Sequence, residues 1–391
     1  MVTHDKLLAG ALAFLGLGYG AMVAQAQSTA TASEPPSGED SRLELVASFD
    51  HEVTGVAVSA EGRIFVTFPR WTEDSPISVA ELVKGELVPF PDERWNAWRN
   101  TRQGDSPQNY WICVQSLYAD GKGNLWVLDS AAPAIDRVVP GGAKLVRIEL
   151  SSNKVTQIIG FSEEVAPPSS YLNDVRVAAD ARHAYITDSG KGALVVVDLT
   201  SAGAKRVLDG HRTTQPEVPV IIKTDGKELR RPDGRAPRFG ADGIALDATH
   251  LYWQALVGRT LYRLPLDALN SAVINDASLA SRIERVGDNG VADGLWIDKA
   301  GRMYIGAIEE NAIKLREGGK VRTLLRDQRL RWPDSFAEGP DGAIYVTTSR
   351  IMDNAQFRPD ASPQLPTQLW RFKPEGRAPQ DEIAKPNPAK P

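Results

Sequence analysis

Short apolar runs recur in pairs along this chain. "VTGVAVSAEGRIFVTFP" begins at Val53, "VQSLYADGKGNLWVLDS" at Val114 and "LNDVRVAADARHAYITDS" at Leu172. "ADGIALDATHLYWQAL" begins at Ala241, "ADGLWIDKAGRMYIGAI" at Ala292 and "PDSFAEGPDGAIYVTTS" at Pro333. Each opens on a small or polar residue, runs through a short strand, turns on Asp, Ala or Gly, and returns as a β-branched and aromatic strand. Two strands of this length joined by such a turn predict a hairpin. The stretches "GALVVVDL", "RTLYRLPL", "NAIKLRE" and "KVRTLL" lie between the copies and supply further strands. Six hairpin-led units spaced roughly 40–70 residues apart predict radial repetition with one four-stranded sheet per unit. The fold expected is all-β: a six-bladed β-propeller of four-stranded antiparallel blades around a central channel. Helical periodicity is scarce, and one short helix is expected over 276–285. A two-domain α/β enzyme would need long helices between strands.

The two ends read differently from the body. Lys6 precedes the apolar run Leu7 to Val23, and Ala24-Gln25-Ala26 supplies a small-x-small cleavage pattern. Residues 1–26 are therefore expected to be a signal peptide cut after Ala26, placing the protein in the periplasm or outside the cell. An uncleaved anchor is the alternative, because the run approaches membrane-spanning length. Gly16, Gly18 and Gly20 within it lack the strand-turn-helix context of a dinucleotide site. Residues 27–42 and 375–391 are poor in apolar residues and rich in Pro and polar ones, so they are expected to form a flexible leader and tail around a propeller spanning 43–374.

Charge and special residues narrow the chemistry. A net charge of −5 over 391 residues leaves no basic stripe for nucleic acid, and no block of like charge marks a membrane surface. The expected partner is a small molecule, bound by a monomer that has no membrane contact after signal cleavage. Cys113 is the sole cysteine, so no intramolecular disulfide can form, and a lone thiol reads as a small buried hydrophobe. The five histidines are scattered, which disfavours a zinc centre. No nucleophile elbow, P-loop or His-Glu-x-x-His motif is present, and no nucleotide cofactor is expected.

The first strand of a propeller blade lines the channel, so the residues opening the six copies should face the axis. These are Thr54, Gln115, Asn173, Asp242, Asp293 and Asp334. Carboxylates held this close must take up protons or share a cation. Hard oxygen donors suit Ca²⁺ or another divalent ion, with Asn173, Asp242 and Asp293 as its ligands. Asp293 and Asp334 are the candidate catalytic groups, and Thr54, Gln115, Asn173 and Asp242 the candidate ligand contacts. A second reading stays open: Asp-Gly and Asn-Asp pairs also cap turns through their own backbone. Asp129, Asp188, Asp198 and Asp298 flank strands and read as turn or inter-blade carboxylates. The aromatic, amide-rich stretch Trp95 to Trp111 is either a lid, with Trp98 stacking on a planar ligand, or a loop packed onto the propeller. Trp126, Trp253, Trp296 and Tyr304 read as core.

At "FVTFPRW", "NLWVLDS", "AYITDSGKGALVVVDL", "GIALDATHLYWQAL" and "WPDSFAEGPDGAIYVTTSRI" the chain resembles the yellow/major royal jelly protein family. The resemblance implies a secreted six-bladed propeller. It leaves the activity open, because some members resemble dopachrome-converting enzymes, others bind biogenic amines in the central cavity, and others are nutritional or structural. Cys113 matches one of the family's paired cysteines, whereas "ADGKGNLW" lacks the partner. Where the family's last blade often carries Asn before Arg, this chain has Ser349-Arg350, and Arg350 is a candidate ligand contact by that resemblance. A remoter likeness links Leu172-Asn173-Asp174 and Asp242-Gly243 to gluconolactonase and senescence-marker-type propellers, which hold a divalent metal on the axis. Their first-blade Glu aligns with Thr54. The function expected is binding of a small polar or aromatic ligand in the channel, with enzymatic activity on it left open. The alternatives are a divalent-metal-dependent lactonase, a dopachrome-like isomerase and a passive scaffold.

Overall fold

The computed structural model describes residues 40–71, 74–101, 106–271, 275–357 and 365–374. Among the described residues, six four-stranded antiparallel sheets form the body, and a two-stranded hairpin, Lys223–Thr224 with Lys227–Glu228, lies between the third and fourth. The first comprises Val56–Val58, Ile64–Thr67, Val79–Val83 and Glu86–Pro89, and the second Val114–Ala119, Asn124–Asp129, Lys144–Glu149 and Lys154–Gly160. The third comprises Leu172–Val177, His183–Asp188, Ala193–Asp198 and Gly203–Val207, and the fourth Ala241–Leu246, His250–Ala255, Thr260–Pro265 and Glu284–Asp288. The fifth holds Leu295–Ile297, Met303–Ala307, Ala312–Glu317 and Lys320–Arg326. The sixth is built from both ends of the chain: Pro333–Glu338, Ile344–Thr348 and Thr367–Phe372, with Glu44–Phe49 as its outer strand.

Contacts between the first strands of neighbouring sheets run from blade 1 round to blade 6 and back, so the sheets form a closed ring. The innermost strand Leu172–Val177 is buried along its whole length, whereas the outer strand Lys154–Gly160 alternates exposed and covered positions. Apolar side chains from facing blades fill the space between them. Trp126 and Leu145 of blade 2 share one cluster with Val175 and Ile186 of blade 3. Tyr185 and Leu194 of blade 3 share another with Trp253 and Leu264 of blade 4.

Two elements differ from the sequence expectation. The helix expected over 276–285 ends at Ala280; Asn275 caps it by accepting from Ser278 N–H. Beyond it, Glu284–Asp288 pairs with Thr260–Pro265, and Arg263 binds Glu284 across the pair. The strand Glu44–Phe49 has no hairpin partner nearby in sequence. It closes the ring by pairing with Thr367–Phe372, Glu44 opposite Arg371 and Phe49 opposite Thr367.

Candidate functional site

The strands that open blades 2, 3, 4 and 6 carry a bulge at their first residues. In blade 3, Asn173 and Asp174 together face one residue, Thr187, because Leu172 pairs with Asp188 and Val175 with Ile186. Asp242-Gly243 and Asp334-Ser335 repeat this in blades 4 and 6. A bulge breaks the strict alternation of side chains and re-aims them. That is why an adjacent amide and carboxylate can both be buried at the head of an apolar strand.

A threonine in the second strand secures the opening residues in three blades. The Thr67, Thr187 and Thr347 hydroxyls each accept from the backbone N–H of the second opening residue, Gly55, Asp174 and Ser335, the last two of which lie in bulges. The same hydroxyls donate to the opening carbonyl of the next blade: Thr67 to Gln115 at 3.1 Å, Thr187 to Asp242 at 2.6 Å and Thr347 to Thr54 at 2.5 Å. Blades 4 and 5 use close contact instead. A Cβ on Gly243 would lie 2.1 Å from the Asp293 carbonyl, and one on Gly294 would lie 2.0 Å from that of Asp334. Missing side chains thus let the carboxylate-bearing backbones converge.

Gln115, Asn173, Asp242, Asp293 and Asp334 consequently line one cavity of ≈ 40 Å³, walled by Trp71, Tyr171, Phe239 and Phe357. All four channel aspartates, with Asp174 as the fourth, are buried. Burial, reinforced by the negative charges of Asp174 and Asp334, holds the Asp242 carboxyl well above the usual carboxylate range. Burial and Asp242 do the same to Asp293, opposed by the Trp332 indole, which donates to Asp293 Oδ2 at 2.6 Å. Burial and Asp293 raise Asp334, against hydroxyl contacts from Ser349 and Ser335. Asp174 is raised by burial and held back by Arg176 and Ser116. Asp334 Oδ2 is buried without any hydrogen-bond partner.

The cluster's donors are oxygens, and Asp334, which carries the orphaned oxygen, lines the cavity, so the residues fit a hard cation in kind. Among the described residues, no three His, Cys, Asp or Glu side chains already stand together as a ligating group.

The other sequence candidates fall elsewhere. Thr54 is fully buried, and its hydroxyl is engaged with Thr67 and the Gln115 carbonyl, so it secures blade 1 to blade 2. Trp98 is packed against Trp71 and Ile112 in a core cluster and does not line the cavity. The Trp95 and Trp111 rings lie 4.4 Å apart at a tilt of 37° and are buried, so these parts of the loop pack onto the propeller; residues 102–105 lie outside the described residues. Arg350 is left-handed (φ 54°) and reaches Asp353, while its neighbour Ile351 lines the cavity. The flanking aspartates have backbone work to do. Asp129 accepts from Ile112, Cys113 and Ala131 N–H and from Lys144; Asp188 accepts from Tyr171, Gly190 and Lys191 N–H and from Arg206. Asp198 and Asp298 cap turns. Trp126, Trp253 and Tyr304 are core; Trp296 is only half-buried. Cys113 is buried beside Asp129, and its thiol is pushed up to about 12.

The residues not singled out from the sequence as site groups are Asp174, Trp71, Tyr171, Ser189 and Trp332. Tyr171 donates to Gln115 Oε1 at 2.9 Å and accepts from the Trp71 indole; Ser189 accepts from the Asn173 amide. The Asn173-Asp174 pair was the available signal for a bulge. Nothing local marks Trp71, more than 40 residues before Gln115, as a partner of the channel.

A closed ring of six four-stranded blades whose opening residues meet at the axis defines a channel-type β-propeller. The chain belongs to the major royal jelly protein family, whose model matches residues 112–345. Among curated proteins none matches in sequence. Among solved structures, a luciferin-regenerating enzyme is 14% identical, with 85% of this chain and 95% of that one aligned at a TM-score of 0.52. A gluconolactonase-like protein is also 14% identical, with 88% and 97% aligned at 0.51. The gluconolactonase XC5397 of Xanthomonas campestris is 10% identical, with 84% and 90% aligned at 0.47. Likenesses at this identity show the fold alone.

Proposed function

We propose that this protein is an exported propeller that binds a small, positively charged organic ligand at the channel mouth where its inner strands begin. The single observation that carries this reading is the buried, unpartnered Oδ2 of Asp334, a residue that lines one cavity with Asp242 and Asp293. An unpaired buried acceptor costs free energy that a bound donor would recover. Three carboxyls are held above their usual range because burial and one another's charge disfavour their anions, a cost that a bound cation would offset. A cavity of ≈ 40 Å³ admits an ammonium head or a little water. The rings of Trp71, Tyr171, Phe239 and Phe357 offer faces to a cation or an aromatic body. Calorimetry at pH 7 with phenethylamine as the charged probe and catechol as the neutral one tests the reading. It expects binding of the amine, weakened at least tenfold by Asp334→Asn; silence across small amines would overturn it.

One further observation favours a second reading, a divalent-metal-dependent hydrolase of lactones. Asn173, Asp242, Asp293 and Asp334 bring oxygen donors from four blades to one cavity. Asn173, Asp242 and Asp293 would hold the ion, and when bound it would polarise an ester carbonyl. Asp334 would accept a proton once the bound ion's charge favours its carboxylate form. One equivalent of divalent metal in protein purified without chelators, together with lactone turnover lost in Asp242→Asn, would establish this reading in place of the first. A dopachrome-type isomerisation has family membership as its only support.

A further inference from the structure

One side chain closes the channel below the carboxylates. Arg176 extends from the inner strand of blade 3 past blade 4, and its Nη2 donates to the Leu295 carbonyl of blade 5 at 2.8 Å. Its Nη1 donates to the Val175 carbonyl at 2.8 Å. The guanidinium lies 5.3 Å from the Trp296 ring and 5.9 Å from the Tyr118 ring, between blades 5 and 2. It is 5% exposed, and its Nε has no hydrogen-bond partner. Beneath this layer the opposite mouth widens into a cavity of ≈ 530 Å³ walled in part by Tyr118 and Trp296. Above it stand Asp174, two residues back on the same strand, and the other three aspartates.

A buried guanidinium held by two backbone carbonyls and the faces of two rings is a costly way to fill space, since an apolar side chain of similar length would pack there without desolvating a charge. Its charge must therefore act on its surroundings. Asp174, two residues back on the strand, is the carboxyl whose charge it opposes, and Asp174 in turn bears on Asp242, Asp293 and Asp334. We infer that Arg176 is a built-in counter-cation of the carboxylate ring and restricts the channel mouth to singly charged ligands. It is a specificity-determining residue that need not touch the ligand. This inference rests on the cation-binding reading, because it concerns which cation that site accepts.

The charge dependence supplies the test. Removing one positive charge changes the binding free energy of a divalent probe by twice the change for a monovalent one, so the fold-changes are related as a square. In Arg176→Met, phenethylamine should bind about tenfold tighter and Ca²⁺ about a hundredfold tighter. Arg176→Lys, which keeps the charge, should resemble the wild type. Equal changes for both probes, no change, or Arg176→Lys behaving as Arg176→Met would overturn the inference. A ligand-free measurement separates this from failure of the binding reading. Asp174 is the carboxylate nearest along the chain, so at pH 7 Arg176→Met should lower Tm more in the wild-type background than in Asp174→Asn. Equal losses in the two backgrounds would overturn the inference even if no probe bound, whereas a smaller loss in Asp174→Asn without binding would uphold the counter-cation and reject the ligand reading.

Discussion

Replacing Gly294 by Ala would perturb the contact that brings blades 5 and 6 together at the axis. The added Cβ would lie 2.0 Å from the Asp334 carbonyl oxygen, 2.9 Å from its carbon and 3.0 Å from the Phe336 ring. Two of these atoms are backbone and cannot rotate away, so the strands must part by about 1 Å to reach ordinary contact. Overpacking of this kind costs about 1–3 kcal/mol. The opening also strains the Gly306 N–H to Gly294 carbonyl bond at 2.9 Å, and losing such a bond adds about 1 kcal/mol. A total of about 2–4 kcal/mol is a large share of a typical folding free energy. Gly121→Ala is the control: its φ of +67° strains an alanine, yet nothing lies within 4 Å of the new Cβ, so about 1 kcal/mol is expected. Urea unfolding of both variants checks the difference. Gly294→Ala no more damaging than Gly121→Ala would refute the claim that close backbone contact assembles the ring.

Three other outcomes follow from the same geometry. The Asp242 carboxyl is raised in the folded state, so the stability tied to its proton is fully present below pH 3.8 and is lost as pH rises through the folded value. Asp242→Asn should therefore be increasingly more stable than wild type as pH rises, by about 1.4 kcal/mol for each unit of upward displacement; unfolding at pH 4 and pH 8 measures it, and a gain that shrinks with pH would contradict it. Lys144 Nζ binds Asp129 Oδ2 at 2.8 Å with both side chains buried, so Lys144→Met should cost about 3–5 kcal/mol, while the Lys144→Met/Asp129→Asn double variant should lose less than the single changes combined. Thr347→Val removes the hydroxyl that spans Ser335 N–H and the Thr54 carbonyl and should cost about 1–3 kcal/mol in denaturant unfolding, with hydrogen exchange accelerated at Ser335; unaltered exchange there would argue against the bridge.

The hairpin pattern made the six blades and the axial residues legible, because local strand-turn-strand chemistry is repeated where a propeller needs it. Gln115, Asn173, Asp242, Asp293 and Asp334 were readable as one set for that reason, and they share a cavity. Thr54 occupies the same repeat position, but a hydroxyl is short enough to be consumed by its neighbours. The strand Glu44–Phe49 was not legible, since its partner lies over 300 residues away and no turn announces the pairing. Trp332 was equally hidden. Its backbone is left-handed, with φ of 60° in a bulky residue, and the turn through Arg331 and Trp332 that directs its indole to Asp293 is fixed by the facing Ser349-Arg350 segment. Such contacts depend on which loops meet across the mouth, and sequence spacing carries no record of that.

A crystal structure of the protein soaked with phenethylamine at pH 7 bears most directly on the central claim. The amine nitrogen should lie within hydrogen-bond distance of Asp334 Oδ2, with Asp242 or Asp293 as its second acceptor and the aromatic body against Trp71, Tyr171, Phe239 or Phe357. Density for the amine only on the outer strands, or a channel mouth whose carboxyls contact nothing but one another, would contradict it.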